Sequence, residues 1–520
     1  MKNQNYKWFI VGGIAVAALA AAVVINMNQN SSGDIAVVEN TITTDNGDQK
    51  INWERYNTYD VALTNESYTI TGSGTYHITG SSSQPIIINA GDGVVRLILD
   101  NVTINNSNGP AISCYNADDL VIELVGESTL QDGATYSGDY DEDVTGAIYS
   151  KADLTFSGTG TLNLTSNYQD GIVAKDDLKF IAGTYNITAT DDGVRGKDSV
   201  YIMDGSFTIK SGADAIKSTN ETTSGKGFVL IEKGTFTLNS GAKGVKAINS
   251  ILIYAGNFTI NSTDDSIHSN NYIGIEGGNF TLTSGDDGIH ADKELIVDNG
   301  EIAITKSYEG VEAQAITINN GTISVTASDD GFNAGGGADA SATNRPGAGA
   351  FDANTDCTLT INGGKVYVNS AGDGLDSNGY LIINGGEVAV DGPTNNGNGA
   401  LDAGVSITQN GGSVIAVGAS GMAETLGNNS AVNNVSIYLS SNYAAGTKID
   451  IKDSSGNSII SHTSAKSFNH IAVGDPAFKT GNTYTIYLNG TEYTSFTISS
   501  TVTTVGNNNA NPNNMMQRMR

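Results

Sequence analysis

A short acidic turn motif recurs between Asp170 and Asp402 and constrains the fold of the chain more than any other feature. Each copy has an acidic residue, then a small residue that is usually Gly, then an aliphatic or aromatic residue. In the most regular stretch the small residues Gly171, Gly193 and Ala215 are 22 residues apart. A fixed period of this size is typical of a solenoid in which each repeat forms one coil. The copies lie at residues 169–172, 191–194, 213–216, 264–267, 286–289, 308–311, 329–332 and 372–375.

The unit from Asp191 to Lys210 indicates what one coil contains. Asp191-Asp192-Gly193 predicts a turn, for which Gly supplies backbone angles that other residues resist. Residues 200–202 and 207–209 are β-branched or aromatic and flank a second turn, which predicts two short strands. Stacked coils of this kind bury their aliphatic side chains in a continuous core. The chain is therefore predicted to be all-β, a parallel β-helix with coils of about 22 residues, since the blades of a β-propeller need roughly 40–50 residues.

Four further segments flank the predicted β-helix, which is expected to span residues 52–426. Residues 1–25 contain a long apolar run preceded by Lys2 and Lys7, which indicates a signal peptide or a membrane anchor. Residues 26–51 are polar and without periodicity, and we interpret them as a linker. Residues 427–506 alternate polar and apolar side chains between hairpin turns, which predicts a small antiparallel β domain. Residues 507–520 are rich in Asn and are predicted to be a disordered tail.

The chain is strongly acidic, with a formal net charge of −29. Binding to nucleic acid requires clusters of Lys and Arg that neutralise phosphates, so this charge argues against a nucleic-acid partner. The negative charge favours cations as ligands, or partners that bind the protein through a bridging cation.

The repeated acidic turns predict columns of carboxylates, because equivalent residues of a β-helix stack about 4.8 Å apart. Two carboxylates at this spacing repel by about 3.5 kcal/mol at an effective dielectric constant of 20. Ca²⁺ would relieve this repulsion, since it takes six to eight oxygen ligands, whereas the scarcity of His disfavours Zn²⁺. The alternative is a solvated turn without metal, because Asp is favoured before Gly. The candidate calcium ligands are Asp191, Asp192, Asp214, Asp264, Asp265, Asp286, Asp287, Asp329 and Asp330.

A third column lies two residues after the small residue of each turn and is expected to point outward beside the acids. Its members are Arg195, Lys217, Lys246, His268, His290, Glu312, Asn333, Asp376 and Asp402. Together with Lys243 from the acidic column, Arg195, Lys217 and Lys246 form a basic strip. This strip either balances the local charge or binds the carboxylate of an acidic sugar beside a metal. His268 and His290 are expected to form hydrogen bonds at the surface, with metal binding as the alternative.

Trp, the usual residue for stacking on a sugar, is scarce. Trp53 is the only Trp outside the N-terminal apolar run. The acidic loop from Asp132 to Asp143 contains Tyr136 and Tyr140. It could hold a cation or present Tyr rings to a sugar, but we interpret it as a solvated loop.

Four segments carry a resemblance to a known family. Residues 146–154, 158–162, 170–178 and 191–200, the last with the sequence Asp-Asp-Gly-Val-Arg-Gly-Lys-Asp-Ser-Val, resemble a bacterial carbohydrate-binding β-helix family found on secreted and surface proteins of clostridia and their relatives. The founding domain of that family is a calcium-containing, right-handed parallel β-helix similar to polysaccharide lyase family nine, and it binds cellulose and acidic sugars. The resemblance, which covers most of residues 59–423, implies calcium on the Asp turns, with Asp191, Asp192 and Asp214 as the best match, and a polysaccharide partner.

The expected function is non-catalytic, calcium-dependent binding of polysaccharide by a monomer at the extracellular face of a bacterial cell, either anchored in the membrane or exported across it. Polygalacturonate and other acidic plant cell-wall glycans are the expected ligands, with cellulose as a second candidate. A calcium-dependent pectate lyase is the alternative, in which Lys217 or Lys246 would act as base if its pKa were lowered. A structural surface protein or adhesin is the third interpretation.

Overall fold

The computed structural model describes residues 51–137, 140–335 and 353–507. This part of the chain is all-β and forms a parallel β-solenoid of about 15 turns with a separate antiparallel sheet at its C-terminal end, which confirms the predicted fold class. A single 3₁₀ turn at Trp53–Arg55 precedes the first strand. The predicted leader, the linker up to residue 50 and the tail from residue 508 lie outside the described residues. Within the described ranges, no helix has the length and apolar character needed to cross a membrane.

Each regular coil has three strands, and the sequence prediction of two strands missed the first of them. In the unit that begins at Asp191, Val194–Gly196 forms a short strand directly after the acidic turn, followed by Ser199–Ile202 and Ser206–Ser211. A three-residue strand is too short to show a period of its own. It is defined by its neighbours, because Val194 pairs with Ile172 of the preceding coil and with Ile216 of the following coil.

The first of the three parallel sheets begins directly after the acidic turns and therefore positions them. Its strands are β2 (Tyr68–Ile70), β4 (Ile86–Asn89), β6 (Ile112–Asn116), β9 (Gly146–Ser150), β12 (Asp170–Ala174), β15 (Val194–Gly196), β18 (Ile216–Ser218), β21 (Val245–Ala247), β24 (Ile267–Ser269), β31 (Phe332–Ala334), β34 (Leu375–Ser377) and β37 (Leu401–Ala403). The long strands β27 (Ile289–Val297) and β29 (Val311–Ile318) run through this sheet and continue into the second one.

The second and third sheets complete each coil. The second sheet contains β1 (Thr58–Leu63), β3 (Gly74–Ser82), β5 (Val95–Asn105), β7 (Asp119–Val125), β10 (Asp153–Gly158), β13 (Asp177–Phe180), β16 (Ser199–Ile202), β19 (Phe228–Ile231), β22 (Ser250–Ile253), β25 (Tyr272–Ile275), β32 (Thr358–Ile361), β35 (Tyr380–Ile383) and β38 (Ser406–Gln409). The third contains β8 (Glu127–Gln131), β11 (Thr161–Ser166), β14 (Thr184–Ala189), β17 (Ser206–Ser211), β20 (Thr235–Ser240), β23 (Asn257–Ser262), β26 (Asn279–Thr283), β28 (Glu301–Ser307), β30 (Thr322–Ala327), β33 (Lys365–Ser370), β36 (Glu387–Asp391) and β39 (Ser413–Gly418).

The C-terminal strands attach to the last coil and then form a sheet of their own. Strand β43 (Phe468–Gly474) pairs antiparallel with β39 and with β40 (Asn434–Tyr443), and β46 (Val502–Val505) pairs parallel with β40. The separate antiparallel sheet has the order β42 (Ser458–Thr463), β41 (Lys448–Asp453), β44 (Thr483–Leu488) and β45 (Thr491–Thr497). The domain boundary at residues 426 and 427 stays a prediction.

A stack of phenylalanine rings fills the solenoid interior beneath the third sheet. The ring centroids of Phe207 and Phe236 are 5.1 Å apart, those of Phe236 and Phe258 4.5 Å, and those of Phe258 and Phe280 4.6 Å. All four side chains are buried, and they occupy the same position in successive coils. Because each ring stacks on its counterpart in the next coil, the stack favours a single register between coils.

The glycine of the acidic turn is required for space and not for an unusual backbone angle. A Cβ atom on Gly193 would lie 2.5 Å from Cγ2 of Ile209 and 2.6 Å from the carbonyl oxygen of Ala215. Positive φ angles occur instead at the second turn of the coil, as at Gly205 with φ of 142°. The expectation that Gly193 supplies a special backbone angle is therefore wrong, since the core side chains press directly against its Cα.

Candidate functional site

The residues that precede the small residue of each acidic turn form one column, which we call the ladder. In the ladder, a carboxylate oxygen of one coil accepts the backbone N–H of the ladder residue in the next coil. The N–H groups of Asp192 and Asp214 donate to Oδ1 of Asp170 and Asp192 at 3.1 Å each, and that of Asp287 donates to Oδ1 of Asp265 at 2.9 Å. These carboxylates thus satisfy backbone donors that the turn leaves without a partner. The ladder comprises Asp170, Asp192, Asp214, Lys243, Asp265, Asp287, Glu309, Asp330 and Asp373.

The second oxygen of each carboxylate at the N-terminal end of the ladder binds a basic side chain. A guanidinium nitrogen of Arg195 lies 2.7 Å from Oδ2 of Asp170. The ammonium nitrogen of Lys217 lies 3.2 Å from Oδ2 of Asp192 and 2.9 Å from Oδ2 of Asp214. Arg195 and Lys217 therefore balance the charge of the acids beside them, which is one of the two interpretations of the basic strip.

The two remaining basic residues of the strip differ from each other in their surroundings. Lys243 is only 6% exposed, and its ammonium lies 2.9 Å from Asp264 and 2.6 Å from Asp265. Burial opposes its charge, but these two carboxylates outweigh burial and raise the pKa of Lys243. Lys246 is half-buried and in register with Lys217, and no carboxylate of the described chain lies within ion-pair distance of it. Lys243 is thus buried in ion pairs and cannot contact a ligand, whereas the ammonium group of Lys246 is not engaged in an ion pair with the described residues.

The two stacked histidines are buried, so the expectation that they form hydrogen bonds at the surface is wrong. Nδ1 of His268 lies 2.7 Å from Oδ2 of Asp265, and Nδ1 of His290 lies 2.9 Å from Oδ2 of Asp287 and 3.0 Å from Oε2 of Glu312. Burial opposes the charge on His290, yet its hydrogen bonds to Asp287 and two further carboxylates raise its pKa to about 12. Four basic members of the third column therefore turn towards the ladder and do not point outward, namely Arg195, Lys217, His268 and His290.

Five acidic residues lie close to one another at the C-terminal end of the ladder. We call this group the acidic end, and its members are Asp330, Asp373, Asp376, Asp402 and Glu424. The backbone N–H of Asp373 donates to Oδ1 of Asp330 at 2.6 Å, and Asp376 pairs in register with Asp402 in the third column. Burial, reinforced by neighbouring carboxylates, raises the pKa of Asp330 to about 8, that of Asp373 to about 7 and that of Glu424 to about 8. The same causes hold the pKa of Asp376 well above its usual value. Burial and neighbouring carboxylates therefore disfavour ionisation at this end of the ladder, and within the described residues no basic side chain forms an ion pair with Asp330, Asp373, Asp376 or Glu424.

The nine predicted calcium ligands are divided between these environments. Asp192 and Asp214 are bound by Lys217, Asp264 and Asp265 by Lys243, and Asp287 by His290. Among the others, Asp191 is exposed, Asp286 is buried, and Asp329 lies next to Asp330 at the start of the acidic end.

Two acidic groups that include predicted calcium ligands already have basic partners for part of their charge. Asp264, Asp265 and Asp286 place one oxygen each within 4.8 Å of one another, as do Asp170, Asp191 and Asp192. In the first group, however, the ammonium of Lys243 already binds two of the three carboxylates. The acidic end offers hard oxygen ligands whose nearest charges are other carboxylates, which is the donor set that Ca²⁺ prefers.

Four residues of the acidic end were absent from the predicted ligands, and one of them, Asp373, is a ladder residue in the repeat at residues 372–375. Asp376 and Asp402 belong to the third column, which changes from basic to acidic towards the C-terminus, and this change was the available signal. Glu424 lies between β39 and β40, outside the repeat, so no periodic pattern points to it.

Comparison with known proteins gives three similarities. A family model described as carbohydrate-binding domain-containing protein matches residues 64–331. A carbohydrate-binding domain-containing protein of Acetivibrio thermocellus is 28% identical over 165 residues, which are 31% of this chain and 55% of that protein. The match thus spans about half the length of this curated relative. A solved structure described as the polysaccharide lyase-like protein from C. thermocellum, a gadolinium derivative, is 26% identical with a TM-score of 0.38, and the alignment covers 47% of this chain and 98% of that one.

Proposed function

The chain belongs to the family of carbohydrate-binding domain-containing proteins, and from this premise we propose that it binds polysaccharide along the ladder in a calcium-dependent manner. The observation that carries the calcium dependence is the segregation of charge along one column. Its N-terminal part is neutralised by Arg195, Lys217 and Lys243, whereas at the acidic end no basic side chain of the described residues forms an ion pair with Asp330 or Asp373.

The residues that would hold the calcium ion are those of the acidic end. Asp330, Asp373, Asp376, Asp402 and Glu424 supply carboxylate oxygens from successive coils and from the segment after β39. Calcium supplies charge neutralisation there, and it can at the same time accept a carboxylate of an acidic glycan. A cation at this position would offset the burial and the repulsion that raise the pKa values of these acids.

Three basic residues can contact an acidic glycan beside the ladder. The side chains of Arg195 and Lys217 keep 27% and 23% of their surface exposed while they bind the ladder acids. Lys246 has no carboxylate of its own in the described chain, so its charge is the one most available to a uronate. We expect polygalacturonate to be a better ligand than cellulose for this reason, and the site of action to be the extracellular face of a bacterial cell.

The surroundings of Lys217 favour binding over lyase chemistry. Burial opposes its charge, but the carboxylates of Asp192 and Asp214 outweigh burial and raise its pKa. A general base must lose its proton near the working pH, which requires the opposite shift. Lys217 in this arrangement is therefore an ion-pair partner.

Calcium titration of the protein tests the metal site. We expect wild-type protein to bind Ca²⁺ in isothermal titration calorimetry and the D376N variant to lose affinity at least about tenfold, since one charged ligand is removed. The matched control is D264N, whose carboxylate already binds Lys243 and should not affect calcium affinity. Equal calcium affinity of wild-type and D376N protein would contradict this placement of the ion.

A further inference from the structure

We propose that the exposed ring of Tyr168 is a stacking platform for one pyranose ring of the polysaccharide, and that the glycan runs from this ring along the ladder towards Lys246. The inference rests on the proposed function and adds a site to it. Tyr168 took no part in the acidic and basic columns that the sequence pattern singled out.

The ring of Tyr168 is held in place from one side. It is 36% exposed and stacks on the ring of Tyr136 with centroids 4.3 Å apart and an interplanar angle of 29°. Tyr136 is fixed in turn, because its hydroxyl donates to Oδ2 of Asp132 at 2.8 Å and lies 3.1 Å from the carbonyl oxygen of Gly146. Tyr140 packs against Tyr136 at 5.5 Å. The loop that we interpreted as solvated thus provides a packed base for an exposed ring.

An aromatic face with this support is suited to a sugar. The π face of a tyrosine ring carries partial negative charge, and it attracts weakly positive groups such as the C–H bonds on one face of a pyranose. A ring that is already fixed loses little conformational entropy on binding, so most of the contact energy is retained. Among the described residues, the large apolar side chains exposed to this degree are Tyr59, Val125, Tyr168 and Val405.

The platform lies next to the charged groups of the proposed binding face. Tyr168 precedes the ladder residue Asp170 by two positions, and Arg195 binds Asp170 at 2.7 Å. Arg195 also donates to Oγ1 of Thr145 at 2.7 Å, and Thr145 is bonded directly to Gly146, whose carbonyl oxygen contacts Tyr136. The aromatic pair and the guanidinium therefore contact adjacent residues of the same turn.

The distance between the platform and Lys246 determines the class of ligand. The coils of Asp170 and Lys243 are three steps apart in the ladder, which is about 14 Å at about 4.8 Å per coil. A single sugar cannot contact Tyr168 and Lys246 together, whereas an extended oligosaccharide can. The site is thus expected to bind chains and to bind a monosaccharide weakly.

Substitution of Tyr168 tests the platform, with affinity electrophoresis of the full chain in gels that contain polygalacturonate or cellulose derivatives. We expect Y168A and Y168L to weaken retention about tenfold or more, and Y168F to bind like wild type because it keeps the ring. Y168L keeps an apolar cover on Tyr136, so it separates stacking on the glycan from packing within the protein. The matched control is Y59A, because Tyr59 is 42% exposed and stacks on Tyr76 at 5.0 Å but lies far along the chain from the ladder.

The outcomes separate the platform from the proposed function. Retention of wild-type protein with loss in Y168A and Y168L, at unchanged thermal midpoints, supports the platform. Equal retention of wild type, Y168A and Y168L overturns the platform and leaves polysaccharide binding in place. Equal losses in Y168A and Y59A also overturn it, because the effect would not belong to this site. Absence of retention of the wild type overturns the proposed function and the platform with it.

Discussion

Asp265 shows how one side chain of the ladder serves several neighbours. Its Oδ1 accepts the backbone N–H of Asp287, and its Oδ2 lies 2.6 Å from the ammonium of Lys243 and 2.7 Å from Nδ1 of His268. Burial opposes its ionisation, but the His268 hydrogen bond and the Lys243 charge outweigh burial and lower the pKa of Asp265. These contacts indicate that Asp265 stabilises the fold by joining its own coil to the coils on either side.

Removal of this carboxylate is expected to be costly. D265A removes a buried carboxylate that both Lys243 and His268 contact and the acceptor of the Asp287 backbone N–H, so we expect the free energy of unfolding to fall by about 3–5 kcal/mol. In the control D264A, the lost carboxylate is 38% exposed and the expected change is at most about 1 kcal/mol. Chemical denaturation of both variants measures the difference, and similar losses in the two would contradict the role given to Asp265.

The charge of Lys246 is predicted to act on the ligand and not on stability. K246A should weaken binding of polygalacturonate about tenfold, which corresponds to about 1.4 kcal/mol, and leave binding of cellulose and the thermal midpoint unchanged. K233A is the control, because Lys233 is exposed and binds Asp204 at 2.8 Å away from the ladder. Titration calorimetry with polygalacturonate checks the prediction, and an unchanged affinity in K246A would exclude Lys246 from the binding face.

Among the elements of the fold, the phenylalanine stack inside the third sheet holds successive coils in register. F258A removes a buried ring that contacts Phe236 and Phe280, and we expect a loss of about 3–5 kcal/mol in the free energy of unfolding. T259A changes the next residue of the same strand, which faces solvent, and should stay within about 0.5 kcal/mol of wild type. Comparable denaturation midpoints for F258A and T259A would show that the stack is dispensable.

The molecule as a whole should lose stability with rising pH when calcium is absent. The folded-state pKa values of Asp330 and Asp373 are raised from the usual 3.8 to about 8 and about 7, so the folded protein holds protons that the unfolded chain has released. Stability that these groups contribute is complete below about pH 4 and is lost as the pH rises towards 8. We expect the thermal midpoint in EGTA to be lower at pH 8 than at pH 5. We also expect added Ca²⁺ to raise the midpoint more at pH 8 than at pH 5. A calcium effect that is larger at pH 5 would contradict the assignment.

Much of this architecture could be predicted from the spacing of the acidic turns. The 22-residue offsets place Asp170, Asp192 and Asp214 at one position of successive coils, and periodicity alone is enough for that. The strand Val194–Gly196 could not be predicted, because three residues show no period and the strand exists only through its pairing with neighbouring coils.

The orientation and partners of the charged columns were harder to predict. Lys and His are usually exposed, and only the buried acids of the ladder make it favourable for His290 to turn inward. Glu424 joins the acidic end from outside the repeat, so its contribution depends on tertiary contacts that no local pattern encodes.

The central claim is tested most directly by retention of the protein on immobilised polygalacturonate, first with Ca²⁺ and then with EGTA, while ultraviolet absorbance of unsaturated sugar products is followed. The account predicts retention with Ca²⁺, release by EGTA and no growth in absorbance. Growing absorbance would identify a lyase, and absence of retention in both conditions would contradict polysaccharide binding.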